Sequence, residues 1–97
     1  MSNASVIARI EVALDRYERG NLSAVEVERA VALHVPALEQ IGSSEEHEAG
    51  RLAARLVNAD LADPPIELNG QLLTFEGDEP IAAVVRDFRA FLGRLPR

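Results

Sequence analysis

Near the end of the chain, apolar residues recur three and four positions apart. This spacing is the sequence feature that most constrains which fold the chain can adopt. The members of this stripe are Ile81, Val84, Val85, Phe88, Phe91, Leu92 and Leu95. Residues at these intervals share one face of an α-helix, so the stripe predicts a helix with one buried side. Pro80 suits the first turn, where its missing amide hydrogen is not needed. We therefore predict a helix over about 79–93.

Two earlier stretches have the same period. The first predicts a helix over about 5–19, with Gly20 as its C-terminal stop, because glycine adopts the left-handed conformation without strain. Its stripe consists of Ile7, Ile10, Leu14 and Tyr17. The second predicts a helix over about 44–62 that ends before Pro64. Its stripe consists of Leu52, Leu56 and Ala59, flanked by Ala53 and Val57.

Capping residues mark two helix starts. Ser23 and Glu26 have the spacing of a capping box, which predicts a helix over 23–41 with a kink or a break at Pro36. Its buried side is predicted to hold Val27, Ala30, Val31, His34, Leu38 and Ile41. Ser43 and Glu46 repeat the spacing, so we expect Ser43 to cap the third helix.

Residues 66–75 change period around Asn69-Gly70, the strongest two-residue hairpin signal. The segment is either a short β-hairpin between the third and fourth helices or an ordered loop of similar outline. Four helices with short connections predict an all-α fold, an antiparallel four-helix bundle. A chain of 97 residues fits a single domain.

The charge is unevenly distributed along the chain. Residues 39–79 contain ten acids and two arginines, whereas residues 80–97 contain one acid and four arginines. Lysine is absent, and the formal net charge is -6. An acidic middle repels nucleic acid and anionic membranes and attracts basic partners. We expect Arg86, Arg89 and Arg94 to pair with carboxylates of residues 39–79.

The segment SSEEHEAG, residues 43–50, invites a metal-site interpretation through Glu45, Glu46, His47 and Glu48. Consecutive helical residues point in different directions, so capping and a solvated acidic surface explain the cluster better. His34 is interpreted as a core or boundary histidine rather than a catalytic base, because no nucleophile is placed to work with it. We expect no enzyme activity, no catalytic residues, and no metal or other cofactor.

Several features of residues 7–95 occur together. They are the length and acidity of the chain, the segment Gly20-Asn21-Leu22-Ser23-Ala24-Val25-Glu26 after the first helix, the acidic stretch after the third helix and the terminal helix Pro80 to Leu95. In these features the chain resembles the immunity proteins of the colicin D type. The family consists of small acidic helical bundles that occupy the basic, RNA-binding active site of a secreted toxin. The resemblance implies a cytoplasmic inhibitor of such a toxin.

Two functional hypotheses remain open. The first is a protein-binding module that presents carboxylates to a basic toxin or nuclease domain, although the same acids equally suit a surface that only maintains solubility. Its predicted partner-binding residues are Glu45, Glu46, Glu48, Asp60, Asp63, Glu67, Glu76, Asp78 and Glu79. The second is a structural or homodimer-forming helical domain, because four strongly apolar stripes can exceed what one bundle covers. We expect cytoplasmic localisation, with neither nucleic acid nor membrane as a partner.

Overall fold

The structure is a computed structural model that describes residues 2–62, 66–73 and 79–97. Within these ranges it has four α-helices: α1 (Asn3–Glu18), α2 (Ala24–His34), α3 (Ser43–Leu61) and α4 (Ile81–Arg94). A 3₁₀ turn over Val35–Ala37 follows α2, and two short strands, β1 (Ile66–Leu68) and β2 (Gln71–Leu73), precede α4. The predicted all-α bundle is confirmed. None of the helices in these ranges is long and apolar enough to cross a membrane.

The four helices pack in a ring. Helix α1 contacts α2 and α4, and α3 contacts the same two helices from the other side. Asn3, at the start of α1, reaches Glu39 after α2 and Pro96 after α4. Tyr17, near the end of α1, binds Asp60 near the end of α3. Successive helices therefore run in opposite directions, as in an antiparallel bundle.

The predicted stripes meet in one apolar core. Phe88 is fully buried in it, and Ile7, Leu14 and Leu56 are equally inaccessible to solvent. The partly buried members of the stripes include Tyr17, Ile41, Val57 and Ile81. Buried side chains that the stripes did not predict are Val6, Ala13, Ala24, Val35 and Ala49. Removal of apolar surface from water stabilises the bundle by roughly 25 cal/mol per Å².

Helix α1 begins earlier than predicted and ends as predicted. The Ser2 hydroxyl accepts a hydrogen bond from the Ser5 amide at 3.2 Å, so Ser2 caps a helix that starts at Asn3. Gly20 has a φ of +79°, and the Asn21 amide donates to the Arg16 carbonyl at 2.8 Å. This left-handed stop satisfies carbonyls at the end of α1 that have no partner within the helix.

The capping box of α2 and the predicted break at Pro36 are confirmed, but the predicted continuation of helix to residue 41 is wrong. The Glu26 amide donates to the Ser23 hydroxyl at 3.1 Å, and the Ser23 amide donates to the Glu26 carboxylate at 3.3 Å. The helix ends at His34 because Pro36 lacks an amide hydrogen and its ring crowds the preceding turn. Gln40, with a φ of +62°, then excludes helix before α3.

The predicted Ser43 cap of α3 is also wrong, by one residue. Gly42 is the N-cap residue, and Ser43 already lies in the helix. The Gly42 amide donates to the Glu45 carboxylate at 2.9 Å, so Glu45 takes the role that the spacing assigned to Glu46. Gly42 has no side chain to return a bond, and the carboxylate alone provides the cap.

The segment around Asn69-Gly70 consists of two short antiparallel strands. Ile66 pairs with Leu73 and Leu68 with Gln71, which leaves a two-residue turn. Asn69 and Gly70 have φ values of +54° and +79°, and a type I′ turn requires positive φ at both positions. The two remaining residues of the predicted hairpin, 74 and 75, lie outside the described residues.

Asn3 joins three segments at one end of the bundle. Its side-chain amide donates to the carbonyls of Glu39 and Pro96, each at 2.8 Å. Its side-chain carbonyl accepts from the Glu39 amide, also at 2.8 Å. One side chain therefore fixes the start of α1 against the segments that follow α2 and α4.

We predict that Asn3→Ala lowers the free energy of unfolding by about 1–2 kcal/mol, because three hydrogen bonds at a partly exposed site are lost together. Urea unfolding followed by far-UV circular dichroism measures this change. Asn58, on the exposed side of α3, has no side-chain hydrogen bond among the described residues and provides the control. An Asn58→Ala variant that loses as much stability as Asn3→Ala would contradict this role for Asn3.

Candidate interaction surfaces

Several of the predicted partner-binding acids form internal contacts. Glu45 caps α3 through the Gly42 amide. Glu48 accepts a hydrogen bond from Arg94 of α4 at 2.9 Å, and the same guanidinium lies 5.9 Å from the centre of the Phe91 ring. Asp60 accepts from the Tyr17 hydroxyl at 2.8 Å. Glu48 and Asp60 therefore link different helices and Glu45 caps its own helix, so less of their charge is free for a partner.

Glu79 belongs to the most connected charge cluster among the described residues. Arg55 of α3 donates to both Glu79 carboxylate oxygens, at 2.7 and 2.8 Å, in a bidentate pair. The same guanidinium donates to Asp87 of α4 at 3.0 Å. Hydrogen bonding to Arg55 lowers the pKa of Glu79 and of Asp87, and the two carboxylates raise the pKa of Arg55. This cluster links α3 to the start of α4.

The arginines of α4 pair differently from the prediction. Arg94 binds Glu48, which lies in the predicted acidic segment. Arg89 instead binds Asp15, at 2.7 Å, and Glu18, both on α1, and these hydrogen bonds raise the pKa of Arg89. Arg86 contacts only its neighbour Asp87 among the described residues, at 3.3 Å. The prediction for Arg89 is wrong because α4 packs against α1 as well as α3. The prediction for Arg86 is wrong because its guanidinium pairs with the adjacent carboxylate of the same helix.

The described acids do not gather on one face. Glu46 lies on the side of α3 that faces α2, whereas Glu48 lies on the side that faces α4. Asp60 and Glu79 lie toward the opposite end of the bundle. Three further predicted residues, Asp63, Glu76 and Asp78, lie outside the described residues, and only the backbone of Glu67, in β1, is described.

Glu46 differs from the others because it stays exposed, with no hydrogen bond or ion pair to any described side chain. It borders a shallow groove of about 310 Å³ between α2 and α3, which we name the α2–α3 groove. Glu28 of α2 borders the same groove and is equally exposed and unpaired within the described ranges. The apolar and small residues between the two carboxylates are Val31, Ala32, Val35, Pro36, Ala49, Gly50 and Ala53.

Sequence reasoning missed Glu28 because it lies outside the acidic segment 39–79. The sequence feature that could have identified Glu28 is helical spacing. Glu28 precedes Ala32 by four positions, so both lie on one flank of α2. Glu46 likewise precedes Gly50 by four positions on α3. Two carboxylates thus border a groove that contains no other charged side chain among its lining residues.

A second groove lies on the other flank of α2, against α1, and we name it the α1–α2 groove. Its volume is about 430 Å³, and its charged residues are Arg9, Arg16, Glu26 and Arg29. His34, half-buried, also lines it, which agrees with the interpretation of a boundary histidine. The three arginines have no ion pair within the described part of the chain.

The segment 43–50 has no converging metal ligands. Across the described residues, no three His, Cys, Asp or Glu side chains are grouped so that they could hold a metal ion. Glu45 instead caps the helix, Glu46 is exposed at the edge of the α2–α3 groove, and Glu48 forms an ion pair with Arg94. The helical geometry that separates consecutive residues explains this division.

Comparisons with protein-family models, curated proteins and solved structures gave no match for this chain.

We predict that Arg55→Gln lowers the midpoint of thermal unfolding by a few degrees at pH 7 and by less at pH 3. Arg55 lowers the pKa of Glu79 and Asp87 below their ordinary values near 4. The stabilisation is therefore complete above about pH 5 and is lost as the pH falls through the folded-state pKa values. Thermal unfolding followed by circular dichroism at both pH values measures it.

Arg51→Gln is the matched control, because Arg51 is exposed on the same helix and has no ion pair to a described residue. It should unfold like the wild type at both pH values. A destabilisation by Arg55→Gln that is as large at pH 3 as at pH 7 would show that the cluster acts through packing rather than charge.

Proposed function

We propose that this chain is a protein-binding module whose α2–α3 groove takes a basic and apolar segment of a partner protein. The proposal rests on the exposure and position of Glu28 and Glu46. Both carboxylates are exposed and unpaired within the described ranges, and both border an apolar groove. Glu45, Glu48, Asp60 and Glu79, by contrast, contact groups of the chain itself.

The groove combines two kinds of interaction. Its small residues, among them Ala32 and Gly50, let an apolar group of the partner approach the helix backbones closely. Burial of that group supplies affinity, whereas Glu28 and Glu46 attract and orient a cation at the edge. The net charge of -6 adds a long-range attraction that speeds encounter with a basic partner.

The finer form of the proposal is an inhibitor of the immunity-protein kind. The support is the resemblance to immunity proteins of the colicin D type together with the acidity of the chain. In this mechanism the module covers the basic active site of a toxin or nuclease, and its carboxylates take the place of RNA phosphates. Glu46 is the predicted partner-binding residue best placed for such a contact, and Glu28 joins it.

A second candidate function is self-association of a structural helical domain. The observation in its favour is a set of exposed large apolar side chains: Leu33 is 71% exposed, Leu61 68%, Val12 52% and Val25 44%. Of these, Val12 and Leu33 line the α1–α2 groove together, and exposed apolar groups that lie close together favour contact with another protein surface. Sedimentation equilibrium distinguishes this function, because a protein that stays monomeric at high concentration excludes it.

We predict that Glu28→Lys with Glu46→Lys weakens the binding of a basic amphipathic peptide by about tenfold at low salt. The probe is an 18-residue helical peptide with a leucine face bordered by arginines. Amide chemical shifts of the isotopically labelled protein report both the affinity and the place of binding. The wild type should bind less tightly as salt increases, because exposed charges are screened.

Glu39→Lys provides the control, because Glu39 is exposed and its carboxylate has no partner within the described ranges. Affinity that is unchanged in the double variant, or equally reduced by Glu39→Lys, would refute a specific role for the α2–α3 groove. The inhibitor form is tested separately, by RNA cleavage with colicin-type ribonuclease domains and with any basic nuclease domain encoded by a neighbouring gene. Cleavage that continues at full rate with excess chain present argues against inhibition of that domain.

A further inference from the structure

The arginines of this acidic chain fall into two groups. Those near the end of the sequence and Arg55 each contact a carboxylate: Arg55, Arg86, Arg89, Arg94 and Arg97. The others have no ion pair to any described residue: Arg9, Arg16, Arg19, Arg29 and Arg51. Acids outnumber bases by 16 to 10 in the sequence, so unpaired arginines do not result from a shortage of carboxylates. Three of the five line the α1–α2 groove.

The α1–α2 groove places these cations beside exposed apolar groups. On α1, Arg9, Val12 and Arg16 follow one another at helical spacing and line the same groove. On α2, Arg29 and Leu33 lie four positions apart and line the facing side. Val12 and Leu33 are 52% and 71% exposed. The smaller residues Ala13 and Ala30 line the same groove.

We propose that the α1–α2 groove binds an acidic amphipathic helix of a partner protein. An occupant must bury Val12 and Leu33 and must also neutralise Arg9, Arg16 and Arg29. A helix with an apolar face bordered by carboxylates meets both requirements at once, as in other helix-in-groove complexes. Arg9 and Arg16 are seven residues apart, or about 10 Å along α1, so a partner helix of three or four turns spans the groove.

Glu26 cancels only part of this positive charge. It lines the groove, but its carboxylate accepts a hydrogen bond from the Ser23 amide in the capping box, at 3.3 Å. That contact holds it at the end of the groove where α2 begins. The three guanidinium groups therefore leave the groove with a net positive charge inside a negatively charged protein.

The groove fits other occupants less well. A nucleic acid would neutralise the arginines but would leave Leu33 and Val12 without apolar partners, and the net charge of -6 repels it. A second copy placed by a two-fold axis through the groove would set arginines against arginines, because such an interface brings the same patch together from both subunits. The acidic helix is therefore the occupant that charge complementarity favours.

This inference is independent of the proposed function. The α1–α2 groove and the α2–α3 groove share no lining residue and lie on opposite flanks of α2. The first is basic and the second is bordered by carboxylates. A substitution in one groove therefore leaves the charges of the other unchanged.

The test uses the full chain, labelled for amide chemical shifts, and an 18-residue helical peptide with a leucine face bordered by glutamates. We expect shifts at Arg9, Arg16, Arg29 and Leu33. Charge reversal at all three arginines (R9E, R16E and R29E together) should weaken binding by at least about thirtyfold at low salt, with roughly threefold for each single change. R51E is the matched control and should bind like the wild type, because Arg51 is equally exposed and unpaired within the described ranges but lies on α3.

A second variant separates a fitted groove from a simple attraction of opposite charges. L33S retains all the arginines and should weaken peptide binding even at high salt, where charge attraction is screened. Leu33 is largely exposed, so the variant should remain folded, which circular dichroism verifies.

Four results would overturn the proposal. The first is that the acidic peptide causes no amide chemical shift at the groove residues, and the second is that R51E and R9E lose affinity equally. The third is that an RNA oligonucleotide of the same net charge binds more tightly than the peptide. The fourth is that sedimentation shows a symmetric dimer that R9E abolishes. The peptide in which arginines replace the glutamates should cause no shift at Arg9, Arg16 or Arg29.

Discussion

The burial of the apolar side of α4 is the constraint on which the rest of the structure depends. Phe88 and Val84 are fully buried, and α4 contacts both α1 and α3. Because the buried side fixes the rotation of the helix, it also fixes where the polar residues of α4 point. Arg89 is thereby brought to the acids of α1, and Arg94 and Asp87 to the charged residues of α3. The packing of the core thus determines which charged residues form ion pairs. At exposed sites these pairs add little stability of their own.

This selection leaves α2 with unpaired charges on both of its flanks among the described residues. Glu28 faces α3 and Arg29 faces α1, and neither has an ion pair within the described ranges. Charges on neighbouring residues of a helix point in different directions, so opposite signs at positions 28 and 29 produce two separate surfaces of opposite charge. A chain with a net charge of -6 can therefore present a positive groove.

The sequence was sufficient for features that depend on nearby residues. Ser23 with Glu26, the stop at Gly20 and the turn at Asn69-Gly70 are local, and the helical stripes predict most of the core. It was insufficient where distant parts of the chain decide the outcome. Arg89 meets an acid 74 residues away, and Asn3 meets a carbonyl 93 residues away. The start of α3 was misplaced because Glu45 and Glu46 are both suitable capping residues in sequence, and only one occupies the third position of the helix.

The hydrogen bonds of Asn3 have a mechanical consequence. They place the first residues of α1 and the last residues after α4 at the same end of the bundle. A force that pulls these two segments apart would load the Asn3 bonds first and would then open the α1–α4 contact one turn at a time. Such sequential rupture resists force far less than the sliding of two whole helices past each other. The bundle should therefore yield easily to tension applied through its two ends, whatever its stability to heat or urea.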